Sequence, residues 1–268
     1  MLPFETDVAA LFATIRSRDP AGTIETFRSL PAANQYRRLY GLAARYLRPN
    51  ADILDWGCGR GHFSYFLLRR GFNVTSFSFE EPPEIFQTIS AEESARLTFV
   101  RGSEADPVTL PFAPCSFDVI FSVGVLEHVR ETGGTEEASL QALRAVLRPD
   151  GVLICYHLPN RHSYIEALSR LVYGRRYSHV PTTVKFHKYL FCARDIHSLC
   201  SAAGLSVLQV IRYGAIPRNP FNWLPHGLRS SRVIATAVNV ADVVLEPIMA
   251  PIVQNYAFVA KRQAANEA

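Results

Sequence analysis

Cysteine is scarce in this chain and has no pattern. The five thiols, Cys58, Cys115, Cys155, Cys192 and Cys200, contain no Cys-x-x-Cys pair and no regular framework, so in 268 residues they read as reduced thiols of a cytoplasmic protein. The opening Met1-Leu2-Pro3-Phe4-Glu5 lacks the charged and apolar regions of a secretory leader. No uncharged run reaches bilayer length; the nearest, Val233 to Val253, carries Asp242, Glu246 and two prolines. An excess of one charge is also missing. Lys and Arg number 28 against 24 Asp and Glu, a net charge of +4 without like-charge blocks, which argues against a nucleic-acid partner. Tandem repeats and low-complexity segments are absent. What remains is 48% hydrophobic and 19% charged, the balance of a globular chain with a substantial core.

Along the chain, short apolar runs alternate with helical periodicity. Residues 6–18 and 33–48 read as helices; in the second, Tyr36, Leu39, Tyr40, Ala43 and Tyr46 recur at helical spacing, with Arg37, Arg38 and Arg45 on other faces. Strands are expected at 51–56, 73–79, 97–101, 117–122, 152–157, 205–212 and 256–261. Helices are expected at 62–70, 82–91, 135–147, 163–171 and 193–203. Strands that are apolar on both faces and separated by helices imply a mostly parallel sheet covered on both sides.

Between the first strand and its helix stands Asp55-Trp56-Gly57-Cys58-Gly59-Arg60-Gly61. Glycines here permit a tight turn and close approach of a ligand to the backbone, and the following helix offers free N–H groups. The spacing differs from the Gly-x-Gly-x-x-Gly fingerprint of nicotinamide-binding folds, and no Gly-Lys-Ser/Thr follows as a P-loop would require.

The loop resembles the first motif of the class I S-adenosylmethionine-dependent methyltransferases, of the ubiquinone-biosynthesis-like type. The likeness extends in order through Leu110-Pro111-Phe112, Ser116-Phe117-Asp118-Val119-Ile120, Val125-Leu126-Glu127-His128-Val129 and Leu147-Arg148-Pro149-Asp150-Gly151. It implies a Rossmann-like, mostly parallel seven-stranded sheet, helices on both faces and an antiparallel final strand. A helical cap over 1–48 would precede a methyltransferase domain over 49–268. The implied cofactor is S-adenosyl-L-methionine, with Gly57, Gly59 and Gly61 facing its methionine part and Asp55 ordering the loop. Two positions depart from the family pattern. Ser78 stands where an acid usually takes the ribose hydroxyls, with Phe79 and Glu80 beside it, and Ser103 stands at the adenine-contacting position, next to Glu104. Ser122 closes the fourth strand on the methyl-transfer side. Asp118 reads as a sheet-edge hydrogen-bonding residue.

Methyl transfer from a sulfonium is an in-line displacement that positioning and water exclusion accelerate. An alcohol-type acceptor also calls for a base, and histidine suits neutral pH. His128 is the first candidate and His157 the second; the alternatives are that His128 shapes its loop and that His157 and Asn160 cap the next helix. Glu127, His128 and Glu131 on one loop are poor grounds for a metal, and none is expected.

Two insertions interrupt the last third of the chain. The basic 173–188 is either a lid for an anionic acceptor or a solvated loop. The hydrophobic 213–255 either packs on the domain, pairs with another subunit or, through 221–252, lies on the inner face of a membrane. The expected reaction is methylation of a small molecule, at oxygen, with a lipid, isoprenoid or lipid-linked saccharide preferred as acceptor. The alternative is a degenerate methyltransferase fold that binds or scaffolds, to which Ser78 and Ser103 lend support. Oligomeric state is left open.

Overall fold

The computed structural model describes residues 5–173 and 189–263. Seven strands form one sheet: β1 (Ile53–Trp56), β2 (Val74–Ser78), β3 (Leu97–Arg101), β4 (Phe117–Val123), β5 (Leu147–Pro159), β6 (Leu205–Tyr213) and β7 (Asn255–Arg262). Their order is β3-β2-β1-β4-β5-β7-β6. The pairs from β3 through to β5 are parallel, and β7 runs antiparallel between β5 and β6. The order reverses between β1 and β4, which opens a crevice at the carboxyl ends of those strands, where open α/β sheets bind ligands.

Strand alternation sends β1 side chains to two cores. Ile53 packs with the N-terminal helices and Phe63, whereas Leu54 and Trp56 pack with Leu140, Leu143 and Phe258 on the opposite face. Residues Val8, Phe12, Ile15 and Phe27 belong to the first core, so the N-terminal segment shares its apolar interior with the sheet.

Three elements differ from their sequence reading. The expected helix 33–48 begins earlier, at Leu30, with Ser29 as N-cap and Pro31 in its first turn; it tightens at Asn34–Tyr36 and resumes as Arg37–Tyr46. The buried Asn34 side chain holds that break, donating to the Leu30 carbonyl and accepting from Asn239. The expected helix 82–91 is a 3₁₀ turn, Glu84–Thr88, and a one-turn helix, Ala91–Ser94, started by the Ser90–Glu93 capping box. Strand β5 begins at Leu147, through the Arg148-Pro149-Asp150-Gly151 stretch, with a register shift opposite Phe117 and Val119.

The insertion after β6 holds a 17-residue helix, Arg232–Ile248, capped by the Ser231 hydroxyl. Its buried positions are Ala235, Asn239, Asp242 and Glu246. Hydropathy suggests a greasy segment; the helix instead turns its polar stripe inward. Arg218 donates to Asn239 (2.8 Å), Asp242 (2.6 Å) and the Pro31 carbonyl (3.3 Å), and Arg38 pairs with Glu246. The basic segment 173–188 lies, except for the backbone of Tyr173, outside the described residues.

Candidate functional site

Beyond β1 the chain turns through Gly57, Gly59 and Gly61, all at positive φ (75°, 50° and 76°). The three glycines meet different needs. A Cβ on Gly57 would lie 2.4 Å from a Val125 methyl, and one on Gly61 2.8 Å from the Phe86 ring. A Cβ on Gly59 would find only the Gly57 carbonyl, at 4.0 Å. Close packing fixes the outer two, while Gly59 faces open space. The Phe77 carbonyl accepts from the N–H groups of both Gly57 and Cys58, so the loop is held against β2.

Asp55 is buried at the end of β1, and its Oδ2 accepts from the Ser64 hydroxyl, which also contacts Ser76. It thereby ties the strand to the first helical turn after the loop. Burial, opposed by the Ser64 hydrogen bonds, raises its pKa to about 6. Its Oδ1 is buried and meets no hydrogen-bond partner among the described residues. Asp55, Gly57, Gly59, His62, Val123 and Gly124 line a cleft of about 440 Å³.

A second cavity, of about 400 Å³, adjoins the first: both are lined by Thr26, Tyr36 and Gly124. Arg37, Glu127, His157, Glu166 and Asp242 are among its other walls. Tyr36 separates the two spaces. Its ring lies 4.5 Å from that of His62 on the first side and 5.2 Å, edge-on, from that of His157 on the second. Burial raises the Tyr36 hydroxyl to about 12, against a hydrogen bond with Thr26, and lowers His62 to about 4, so neither carries charge at neutral pH.

His157 sits at the bulge in β5 between Cys155 and Leu158, with φ of 70°. Its backbone N–H donates to the Tyr213 hydroxyl (2.9 Å), and its Nδ1 shares a 3.0 Å hydrogen bond with that hydroxyl. The left-handed backbone turns the imidazole into the second cavity, and Tyr213 fixes it there. His128 stands at the cavity's exposed side, with Nδ1 3.3 Å from Glu131. Glu127, read from the sequence as part of its motif and as a weak metal-ligand candidate, is buried in the wall, and burial raises its pKa to about 8. Its Oε2 meets no hydrogen-bond partner among the described residues.

The other expected cofactor residues do not line the cleft. Ser78 is buried and its hydroxyl accepts from the Glu80 N–H (3.1 Å). Glu80 extends from that turn, and its charge helps raise the Cys58 thiol pKa in the glycine loop, after burial and Asp55. Phe79 packs on Phe77 and the Gly102 backbone. Ser103 and Glu104 are exposed on a turn where the Ser103 hydroxyl accepts from Ala105. Ser122 is buried at the end of β4. Asp118 accepts from the Asp52 N–H and from Arg148, a sheet-edge role.

The sheet order, the glycine loop after β1 and the cleft at the switch point define a class I S-adenosylmethionine-dependent methyltransferase fold. The methyltransferase-domain family model matches residues 25–210, and the chain belongs to that family. A protein of Encephalitozoon cuniculi whose name proposes a methyltransferase is 25% identical over 71% of this chain and 92% of its own length. The ubiquinone biosynthesis O-methyltransferase of Aeromonas salmonicida is 28% identical over 58% of this chain; the match spans 63% of that relative. Among solved structures, the 1,6-didemethyltoxoflavin-N1-methyltransferase of Burkholderia thailandensis, with its substrate and S-adenosylhomocysteine bound, superposes with a TM-score of 0.55 at 16% identity. The match covers 98% of this chain and 92% of that one. The chain is a methyltransferase of the S-adenosylmethionine-dependent class. The structure offers the cofactor a fitting site, because Asp55 Oδ1 is a buried acceptor in need of a donor.

Proposed function

We propose that the cleft beside Gly59 takes S-adenosylmethionine, and that the cavity beyond Tyr36 takes a polar acceptor methylated at oxygen. The shared wall of Thr26, Tyr36 and Gly124 carries this reading, because it brings the two spaces into contact at one point. Asp55 would receive the cofactor's ammonium. Glu80, on the turn above Cys58, is the acid in this region that replaces the carboxylate missing at Ser78.

The cofactor supplies an electrophilic methyl group. The chain's own part is to orient the acceptor and manage its proton. Bound in the cleft, the cofactor would give its methyl group to the acceptor oxygen and keep the electron pair of the carbon–sulfur bond on sulfur, and the protein would take up the hydroxyl proton. His157 is best placed to receive it: its ring is in the cavity wall and next to Tyr36. Glu127, raised to about 8 and so protonated at neutral pH, offers a hydrogen-bond donor in the same wall, and His128 guides the acceptor from the rim. Charged and polar walls suit a polar molecule, or the polar head of a lipid, isoprenoid or lipid-linked saccharide, better than a hydrocarbon chain.

Titration calorimetry with S-adenosylmethionine and its demethylated product, followed by product detection with a panel of hydroxylated acceptors, tests the proposal. Saturable cofactor binding with turnover of a polar acceptor is expected. Absence of cofactor binding at millimolar concentration would sink it. Binding without turnover on any acceptor would favour the degenerate alternative that Ser78 and Ser103 suggest.

A further inference from the structure

The helix Arg232–Ile248 is amphipathic in the inverted sense. Its polar residues Asn239, Asp242 and Glu246 are buried against Asn34, Arg218 and Arg38. Val233 (80% exposed), Val240, Val244 and Ile248 (74% exposed) point outward. Ordinary surface helices do the reverse. The arrangement recurs in the neighbouring helix, Tyr164–Tyr173: Glu166 is buried toward the same cavity, while Leu168, Leu171 (81% exposed) and Val172 face out. The start of Tyr164–Tyr173 is tied to the turn that follows Arg232–Ile248, where the Tyr164 N–H donates to the Ile252 carbonyl (3.0 Å). At the near end of Arg232–Ile248 stand Trp223, 89% exposed, and Leu228.

Charge identifies what covers this surface. All three acids of the two helices, Glu166, Asp242 and Glu246, are buried. Their remaining charged side chains, Arg170 and Arg232, are exposed, and Arg229 and His226 precede the longer helix. An apolar face whose two helices expose only cations among the described residues, with an exposed tryptophan at one end, matches the boundary between acyl chains and anionic headgroups. A second copy is a poorer match. Two-fold pairing would set these cations against each other, with no exposed acid on either helix to answer them. No helix among the described residues is long and apolar enough to cross a membrane, and at about 1.5 Å per residue the longer helix would lie some 25 Å along the surface.

We propose that the outer faces of Arg232–Ile248 and Tyr164–Tyr173, with Trp223, form a docking surface for an anionic lipid interface. The chain contains two tryptophans, and the other, Trp56, is 4% exposed in the core, so tryptophan emission isolates the proposed contact. The full chain is mixed with vesicles of phosphatidylcholine alone or with 30% phosphatidylglycerol, roughly the anionic content that gives an appreciable surface potential, with and without brominated acyl chains. Co-sedimentation with the anionic vesicles, weakened by salt, and bromine quenching of Trp223 are expected. The variant Val240→Asp/Val244→Asp is expected to bind at least about tenfold more weakly, as two charges enter the apolar face, with unchanged cofactor binding and melting temperature. Equal behaviour with and without anionic lipid, absence of quenching, or a variant that binds vesicles like the parent would overturn the proposal. A concentration-dependent dimer that the variant abolishes, without vesicle binding, would assign the face to a second copy instead. None of these readouts uses methyl transfer, so they stand or fall separately from the assignment of the acceptor.

Discussion

The Tyr36 ring meets the His157 imidazole edge-on, centroids 5.2 Å apart, with the hydroxyl bonded to Thr26. One side chain from the N-terminal helices thus forms the partition between the cleft at the glycine loop and the second cavity. Tyr36→Phe keeps the partition and loses one hydrogen bond, so a stability change of about 1 kcal/mol and modestly altered turnover are expected. Tyr36→Ala merges the spaces and removes a buried ring, at a cost of roughly 3–5 kcal/mol. In protein that remains folded, single-turnover rates should fall by at least about tenfold, as misalignment of an acceptor does.

The glycines of the loop separate packing from ligand contact. Gly57→Ala drives a methyl into Val125 at positive φ, and roughly 2–4 kcal/mol of stability should be lost on thermal or denaturant unfolding. Gly59→Ala has space around it and carries only the backbone strain, about 1–2 kcal/mol. Its larger effect should be on cofactor affinity in calorimetry. Unchanged affinity in Gly59→Ala would remove that glycine from the cofactor contact.

The proposed role of Glu80 at the cofactor ribose predicts that Glu80→Gln weakens cofactor binding by roughly 10- to 100-fold, the value of a charge-assisted hydrogen bond of about 1.5–3 kcal/mol. Melting temperature should hardly move, because the side chain is exposed. Glu104→Gln, on the exposed turn after β3, provides the comparison, with little change expected.

Glu127 makes stability depend on pH. Its pKa is raised from an ordinary 4.5 to about 8 by burial. Between those values the unfolded chain has released the proton and the folded chain retains it, so stability contributed by the neutral carboxyl is complete below about 4.5 and is lost as pH rises toward 8. Glu127→Gln lacks this dependence. The melting temperature of the variant relative to the parent should therefore climb across that interval, and a constant difference would contradict the burial of an uncharged Glu127.

Arg218 and Asp242 form a buried ion pair at 2.6 Å. Asp242→Ala leaves the guanidinium in the interior without its counter-charge and should cost roughly 3–5 kcal/mol in denaturant unfolding. Because Asp242 also accepts from the Ile216 N–H (2.9 Å), the loop after β6 should lose hydrogen-exchange protection in the same variant.

All seven strands were legible because each is an apolar run bounded by turn residues, and the ends differ by a few residues except at the start of β5. The glycine loop with Asp55 was equally legible, since its spacing is local. The inner face of Arg232–Ile248 was not. Asn239, Asp242 and Glu246 do recur at helical spacing, but valine and isoleucine dominate the hydropathy, and the partners Arg38 and Asn34 lie some two hundred residues away. Arg37 was hidden for the same reason: its helix reads as amphipathic with arginines outward, yet Arg37 is buried beside the second cavity. The importance of Glu127 rests on burial, which no spacing reveals.

The polar bonds that join Asn34 to Asn239, Arg38 to Glu246 and Arg218 to the Pro31 carbonyl tie early and late parts of the chain into one wall. During synthesis the glycine loop and its cleft are encoded within the first half of the chain, whereas the wall of the second cavity is complete only when residue 255 has emerged and folded back. Closure of the second cavity is then a late folding event. A refolding experiment should show protection of the glycine loop arising before the second cavity closes, with the interval between them set by docking of the helix Arg232–Ile248.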